Sequence, residues 1–195
     1  MMHRRIFLAG LGAASLLPGT ALAINETESR ELIDTLVADI NKVIESGKSE
    51  NAMLRDFERI FKNYSDTSYI AAYAMGPDAR RASTSQKRSF SKAFQSYIAR
   101  KYGRRFREFI GGRLEVQGVK RVKKWYEVET KAYLKGQSPF DVTFLVSDRS
   151  GKNLFFNMYI EGVNLLLTER TEVGAILDQN GGDIDKMIKE LSRAG

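Results

Sequence analysis

Side chains suited to acid–base or nucleophilic chemistry are sparse in this sequence. Its single histidine is His3, and it has no cysteine. If the N-terminal segment is removed, no residues remain for imidazole or thiolate metal sites or for histidine-activated nucleophiles. Glu127 and Glu129 are candidates for a carboxylate pair, but they alternate with apolar residues beside Lys131, a pattern typical of the solvated face of a strand. These observations predict a protein that is not an enzyme and carries no metal or other cofactor.

Aromatic and large apolar side chains recur on the faces that helical or strand periodicity turns inward. They have two interpretations that the sequence leaves open: an ordinary filled core, or the wall of an apolar cavity held open by a curved sheet. The predicted cavity lining consists of Phe57, Phe61, Tyr69, Tyr73, Phe90, Phe94, Tyr97, Val128, Val142, Phe144, Phe156, Met158, Ile160, Val163 and Leu165.

Basic residues form two clusters, one around Arg104 and Arg105 and one around Lys120 and Lys123. The first follows a predicted helix and the second surrounds a predicted strand turn, so both could lie at one edge of the fold. They are either a solvated rim or a cavity mouth that attracts anionic headgroups or an acidic partner surface.

The first 23 residues have the pattern of a cleavable export signal. A short basic head is followed by the apolar run Ile6 to Leu17, which is too short to span a bilayer. Ala21-Leu22-Ala23 supplies the small residues of a cleavage site. The sequence Arg4-Arg5-Ile6-Phe7-Leu8 matches the twin-arginine pattern, although an ordinary Sec signal with two arginines remains an alternative.

Removal of the signal would leave 172 residues, enough for a single domain spanning 24–195. This part has 29 basic and 24 acidic side chains, a net charge of +5, which is modest for a nucleic-acid-binding protein. Without cysteine, an exported protein must rely on its core rather than on disulfides. We therefore expect a soluble periplasmic monomer without a lipid anchor and without a nucleic-acid partner.

The first half of this domain has helical periodicity. Apolar residues at i, i+3, i+4 and i+7 spacing predict a helix over 25–46, with Asn25 and Glu28 as a capping pair. Further helices are predicted from Ser49, from Asp66 and from Ser83 to Tyr102. Gly111-Gly112 marks the change to an apolar period of two.

The second half predicts an antiparallel meander. The predicted strands are 113–122, 125–134, 140–146, 154–160 and 163–167, followed by a helix from Thr168 and a last helix after the break at Gly181 to Asp183. In the fourth strand, alternation places Leu154, Phe156, Met158 and Ile160 on the inner wall and Phe155, Asn157 and Tyr159 on the other face. Helices followed by strands predict an α+β fold in which helices pack on one face of the sheet.

The segment Ile160-Glu161-Gly162-Val163-Asn164-Leu165, with Arg170 and Ile176-Leu177 beyond it, resembles the MlaC family. The resemblance extends to Asp66–Met75, to Ser83–Tyr102 and to Gly182–Leu191, and so covers nearly all of the chain after the signal. This family comprises periplasmic phospholipid-binding components of ABC-transporter systems that maintain outer-membrane lipid asymmetry. In this sequence Asn153 and Asn157 stand where the family usually has tryptophan and aspartate, and Asn164 stands where serine is common.

The resemblance implies an NTF2-like α+β fold whose cavity holds the acyl tails of a phospholipid ligand. It also implies a carrier that moves lipid between an inner-membrane MCE-domain/ABC transporter complex and an outer-membrane lipoprotein–porin complex. Two alternatives remain: a carrier of a different hydrophobic cargo such as a hopanoid, or an NTF2-like enzyme acting on a small apolar substrate with a buried aspartate or tyrosine.

Overall fold

The computed structural model describes residues 24–103 and 110–194, so the predicted export signal lies outside the described residues. Four helices come first, then a sheet, then two more helices. The helices are α1 (Glu26–Glu45), α2 (Glu50–Tyr64), α3 (Thr67–Met75), α4 (Thr84–Gly103), α5 (Leu165–Gln179) and α6 (Ile184–Leu191), and a short 3-10 turn covers Gly76–Arg80. The strands are β1 (Arg113–Val122), β2 (Trp125–Tyr133), β3 (Phe140–Ser147), β4 (Leu154–Ile160) and β5 (Val163–Asn164). The α+β prediction is confirmed.

The sheet is an antiparallel meander in the order β1-β2-β3-β4-β5. On β2 the alternation predicted from the sequence is present: Val128, Thr130 and Ala132 are fully buried on the face that meets the helices. The register shifts between Val116 and Gly118 on β1, and again where β3 meets β4. Such bulges bend a sheet and increase its twist, so the inner face becomes concave.

Side-chain caps define the starts of α1, α3 and α4 as the sequence predicts, whereas the predicted cap Ser49 of α2 forms no side-chain cap hydrogen bond. At α1, Asn25 and Glu28 form a reciprocal capping box. Asp66 accepts a hydrogen bond from the backbone N–H of Tyr69 at the start of α3. Ser83 and Gln86 exchange hydrogen bonds ahead of α4. Because each cap satisfies orphan backbone donors within one turn, these boundaries depend only on nearby residues.

The chain after β4 differs from its prediction. The predicted fifth strand and the helix start at Thr168 are wrong, since β5 has two residues and α5 already begins at Leu165. The Oδ1 of Asn164 accepts a hydrogen bond from the backbone N–H of Leu167, and the Oδ1 of Asn157 accepts one from that of Leu166. The Asn157 amide also donates to Asn164 at 3.0 Å, so the two asparagines cap α5 together.

The predicted inner face of β4 is half wrong. Met158 and Ile160 pair with Phe144 and Val142 and share their face, as expected. Beyond the register shift, however, Val146 pairs with Phe155 rather than with Phe156. The carbonyl oxygen of Phe155 also accepts a 2.8 Å hydrogen bond from the N–H of Asp66, which fixes the bulged backbone to the α2–α3 junction. Phe155 is therefore the inward aromatic residue.

A candidate lipid-sized site

A cavity of about 530 Å³ lies between the concave face of the sheet and helices α1, α2 and α4. Small-molecule sites generally have volumes of about 300–1,000 Å³, so this cavity is large enough for a bound ligand. Its walls are mostly aliphatic and aromatic. They are formed by Leu36, Ile40, Phe57, Ile60, Phe61, Ile98, Ala99, Tyr102, Gly103, Leu114, Leu134, Gln137, Ser138, Pro139, Phe140, Val142, Phe144, Phe155, Met158, Ile160 and Glu161.

The sheet wall is built from β3 and β4 in register. Val142 lies opposite Ile160 and Phe144 opposite Met158, so four side chains form one apolar surface. Phe155 continues it past the bulge and meets the Phe144 ring edge-on, with 5.5 Å between ring centroids. Edge-to-face contacts of this kind are a favoured arrangement of aromatic rings.

The helix wall follows from helical spacing. Phe57, Ile60 and Phe61 lie on one face of α2, and Phe61 meets Phe155 of the sheet wall at 6.0 Å between ring centroids. Near its end α4 approaches α2 closely at Gly103, where a Cβ atom would overlap the side chain of Leu54. Glycine at this position therefore allows the backbone of α4 to form part of the wall.

Polar and exposed residues mark the mouth of the cavity. Gln137, Ser138 and Pro139 form the exposed β2–β3 connection, and Glu161 occupies the β4–β5 corner. Glu161 and Asp141 exchange hydrogen bonds: the Asp141 N–H donates to Glu161 Oε1 at 2.5 Å, and the Glu161 N–H donates to the Asp141 carbonyl oxygen at 3.0 Å. These bonds hold the corner against β3 beside an apolar interior.

A recess of about 40 Å³ adjoins the cavity between α4 and α5, and the two share Phe61, Ile98, Tyr102, Phe155 and Met158. Glu169 of α5 lines the recess with a side chain that is only 3% exposed. Its Oε1 accepts hydrogen bonds from the Tyr102 hydroxyl and, at 2.8 Å, from Lys101 Nζ. Its Oε2 has no hydrogen-bond partner among the described residues.

The Glu169 network reaches the surface through Glu172. Lys101 Nζ also binds Glu172 Oε2 at 2.5 Å, and the Tyr97 hydroxyl donates to the same oxygen at 2.6 Å. Burial, followed by the hydrogen bond to Glu172, raises the pKa of Tyr97 well above its ordinary value of 10. Burial also raises the pKa of Glu172, but the hydrogen bonds from Lys101 and Tyr97 outweigh it, so that pKa lies below its ordinary value of 4.5.

Six of the predicted lining residues lie on the cavity wall, and two border the recess. The six are Phe57, Phe61, Val142, Phe144, Met158 and Ile160, and the two are Phe156 and Leu165. Their role in binding stays a prediction, but their common location follows from the register and the helix faces.

The other seven predicted lining residues lie elsewhere. They are Tyr69, Tyr73, Phe90, Phe94, Tyr97, Val128 and Val163. Phe90 and Phe94 are each 1% exposed and stack on one another in a filled helical core. Val163 is 53% exposed, because the short β5 turns it outward. Periodicity identified inward faces correctly in most of these cases, but it does not distinguish a filled interior from an open one.

Only Lys120 and Lys123 of the predicted basic rim lie among the described residues, and both are distant from the mouth. Lys120 and Lys123 lie at the β1–β2 turn, and the mouth follows the other end of β2, whose nine residues span roughly 30 Å at about 3.3 Å per residue. Arg104 and Arg105 lie outside the described residues. An antiparallel hairpin places its turn far from its open end, so Lys120 and Lys123 lie away from the mouth, and a role of the basic residues in binding stays a prediction.

Several wall residues were missing from the sequence prediction. The clearest are Leu36 and Ile40 of α1, Ile98 and Tyr102 of α4, and Phe155. Leu36 and Ile40 do follow the i, i+4 spacing of an inward helix face, which is the signal that could have found them. For Phe155 no local signal exists, because its orientation depends on the bulge.

Within residues 24–103 and 110–194, no cluster of three or more His, Asp or Glu side chains is arranged to hold a metal ion. In the same ranges, no helix has both the length and the apolar character of a membrane-spanning segment. The described carboxylates of the site are instead held by tyrosine, lysine or backbone donors.

The fold and cavity define a class of α+β proteins in which helices enclose an apolar site against a curved meander sheet. The MlaC protein family matches residues 30–193, and the chain belongs to this family. The structure is also similar to that of a phospholipid-binding protein from Ralstonia solanacearum in complex with a phospholipid. The match has a TM-score of 0.73 and 14% identity, and it covers 85% of this chain and 95% of the other, so it shows a shared fold.

Proposed function

We propose that this protein is a soluble periplasmic carrier that binds the acyl chains of a phospholipid in the cavity and shuttles the lipid between membrane complexes. The observation that carries the proposal is the cavity itself: about 530 Å³ with apolar walls and polar groups confined to the mouth and the recess. Membership of the MlaC family and the fold shared with a phospholipid-binding protein support it.

The energetics of the cargo explain why such a cavity is needed. Hiding one methylene group from water is worth about 0.8 kcal/mol, so two ordinary tails of about 30 methylenes would cost on the order of 20 kcal/mol to expose. In a soluble carrier, contacts between the tails and the apolar walls must offset most of this free-energy cost. Aromatic rings such as Phe61, Phe144 and Phe155 supply large apolar areas for this purpose.

The mouth suggests how the lipid is oriented. Gln137, Ser138 and Glu161 are exposed, whereas Val142 and Phe144 behind them are buried. A phospholipid would therefore insert its tails along β3 and β4 and keep its headgroup at the mouth, where water solvates the charge. Binding of this kind needs no chemical step, so the proposal includes no catalysis.

Export and partners complete the proposal. The twin-arginine-like segment at residues 1–23 would direct the chain to the periplasm. There it would meet an inner-membrane MCE-domain/ABC transporter complex and an outer-membrane lipoprotein–porin complex, the partners that the resemblance to the MlaC family implies. A monomer with a single mouth would exchange its lipid with each complex in turn.

Organic extraction followed by mass spectrometry tests the binding step. We expect about one phospholipid per purified wild-type protein and almost none for Met158→Asp, because a carboxylate on the wall must be desolvated against the tail. Val163→Asp is the matched control, since Val163 is exposed and off the cavity. Both variants should keep the wild-type circular dichroism spectrum.

The masses recovered separate the cargo classes. A polycyclic lipid such as a hopanoid would replace the phospholipid proposal with a different cargo. Equal phospholipid in Met158→Asp and Val163→Asp would show that the lipid binds outside this cavity. Transfer between donor vesicles and acceptor vesicles, monitored with a fluorescent phospholipid, then tests the shuttle step.

A further inference from the structure

The backbone N–H of Ile24 donates a 3.1 Å hydrogen bond to Oδ2 of Asp148, a residue 124 positions away in the sequence. Ile24 is only 7% exposed and packs with the hydrophobic core, so its position does not depend on this one bond. Asp148 begins the β3–β4 turn, which the hydrogen bond from the Gly151 N–H to the Asp148 carbonyl oxygen closes at 2.8 Å.

The Ile24 nitrogen is also held from its C-terminal side. Asn25 caps α1 immediately after it, with its own N–H donating to Glu28 Oε2 at 3.1 Å. The helix start therefore leaves little freedom for the chain at Ile24. The start of α1 and the β3–β4 turn together place the Ile24 nitrogen next to the Asp148 carboxylate.

No described cation pairs with Asp148 within the part of the chain the structure covers. The adjacent Arg149 lies instead over the rings of Tyr69 and Phe156, at 4.0 and 4.7 Å from their centroids. Lys152, on the same turn, forms no ion pair within residues 24–103 and 110–194. The half-buried Asp148 carboxylate thus has a neutral amide as its side-chain hydrogen-bond donor, a weak partner for a charge.

We propose that cleavage after Ala23 turns this contact into an ion pair between the new α-ammonium group of Ile24 and Asp148. Hydrolysis breaks the Ala23–Ile24 amide bond: water supplies the hydroxyl of the Ala23 carboxyl group and one proton to the Ile24 nitrogen, and the proton released when that carboxyl group ionises converts the amine to the ammonium. The α-amino group has an ordinary pKa of about 8, so it is mostly protonated at neutral pH. A charged donor roughly doubles the strength of a hydrogen bond to a carboxylate.

The location gives this ion pair a role in the cavity. Helix α1 contributes Leu36 and Ile40 to one wall, and β3 and β4, which the Asp148 turn connects, form the opposite wall. The turn lies at the end of β3 away from the mouth. The ion pair therefore fastens the two walls at the closed end, and it forms only in the processed protein. The inference depends on the proposed export signal but not on the identity of the lipid.

The first measurement is N-terminal sequencing of the full chain after expression and export. We expect Ile24 as the first residue of the mature protein. Any other mature N-terminus would overturn the proposal, whatever lipid the protein binds.

The second measurement is a double-mutant cycle on the mature chain, with and without a Gly-Ser extension before Ile24, and with and without Asp148→Asn. Urea unfolding at pH 7 gives the folding equilibrium constant of each protein. We expect the extension to lower this constant about tenfold when Asp148 is present and less than twofold in Asp148→Asn.

The matched control is Asp178→Asn, which removes an exposed carboxylate on α5 and should leave the tenfold effect intact. An extension effect of the same size in the wild-type and Asp148→Asn backgrounds would overturn the ion pair. Lipid content, measured by extraction in all proteins, separates this outcome from a failure of the carrier function.

Discussion

Two groups of aromatic side chains share the same residue types, yet their surroundings differ. Around Phe90 and Phe94, helices α3, α4, α5 and α6 close on one another, and Met187 and Leu191 of α6 are fully buried. Around Phe61 and the sheet, the aromatic rings border a cavity of about 530 Å³.

Small residues explain much of the difference. In the filled core, Ala71, Ala74 and Ala93 are nearly inaccessible, and they let helices approach until large side chains fill the space between them. In the cavity, the opposing surfaces are helices and a bulged sheet, and the curvature of the sheet leaves open space between the two walls. Close helix packing builds stability, whereas the space under the curved sheet is available to a ligand.

The largest expected effect is a difference in the free energy of unfolding between variants of one ring from each group. Phe94→Ala should lower the free energy of unfolding by about 3–5 kcal/mol, because a close-packed site loses all of its contacts. Phe61→Ala should cost only about 2 kcal/mol, because one side of that ring already faces open space and fewer contacts are lost. Urea unfolding of lipid-free protein measures both values.

Lipid retention should show the opposite order. Phe61→Ala should reduce the phospholipid recovered per folded protein, and Phe94→Ala should leave it near the wild-type value at low temperature. In the urea-unfolding measurement, equal losses of stability in Phe94→Ala and Phe61→Ala would show that the distinction between a filled core and an open cavity is wrong.

A second prediction concerns the polar network that separates the two regions. Lys101→Met should destabilise the protein by about 3 kcal/mol, because it leaves the buried Glu169 carboxylate without its charged partner. The double variant Lys101→Met/Glu169→Leu should recover most of this loss, since no uncompensated charge remains. Unfolding measurements on the two single variants and the double variant give the coupling energy, and additive effects would show that the pair is not coupled.

The smallest expected effect depends on pH. The folded-state pKa of Glu172 is lowered, so its contribution to stability is present above the ordinary value of 4.5 and is lost as the pH falls through the lowered pKa. Glu172→Gln should therefore be less stable than wild type at pH 7 by under about 1 kcal/mol, because the side chain is 43% exposed. The difference between the two proteins should shrink as the pH falls below 4.5, and a difference that does not change with pH would assign the effect to packing.

The sequence was sufficient for the parts of the fold that local interactions control. The caps at Asn25, Asp66 and Ser83 act within one helical turn, and they predicted three helix starts. The alternation on β2 predicted its buried face, because successive side chains of a strand point to opposite sides. The start of α5 was missed, although Asn164 also caps within one turn; Asn157 of β4 adds a second cap, to the Leu166 N–H, which local rules do not predict.

The sequence by itself determined the α+β class, the helix caps and most inward faces, since these follow from interactions between residues a few positions apart. Only the tertiary structure decided which inward faces meet other side chains and which meet a cavity. That outcome depends on the distances between whole elements. Small residues shorten these distances in the helical core, whereas bulges in the sheet keep the cavity walls apart. The tertiary structure also decided that Phe155 rather than Phe156 faces inward, and that the basic β1–β2 turn lies far from the mouth.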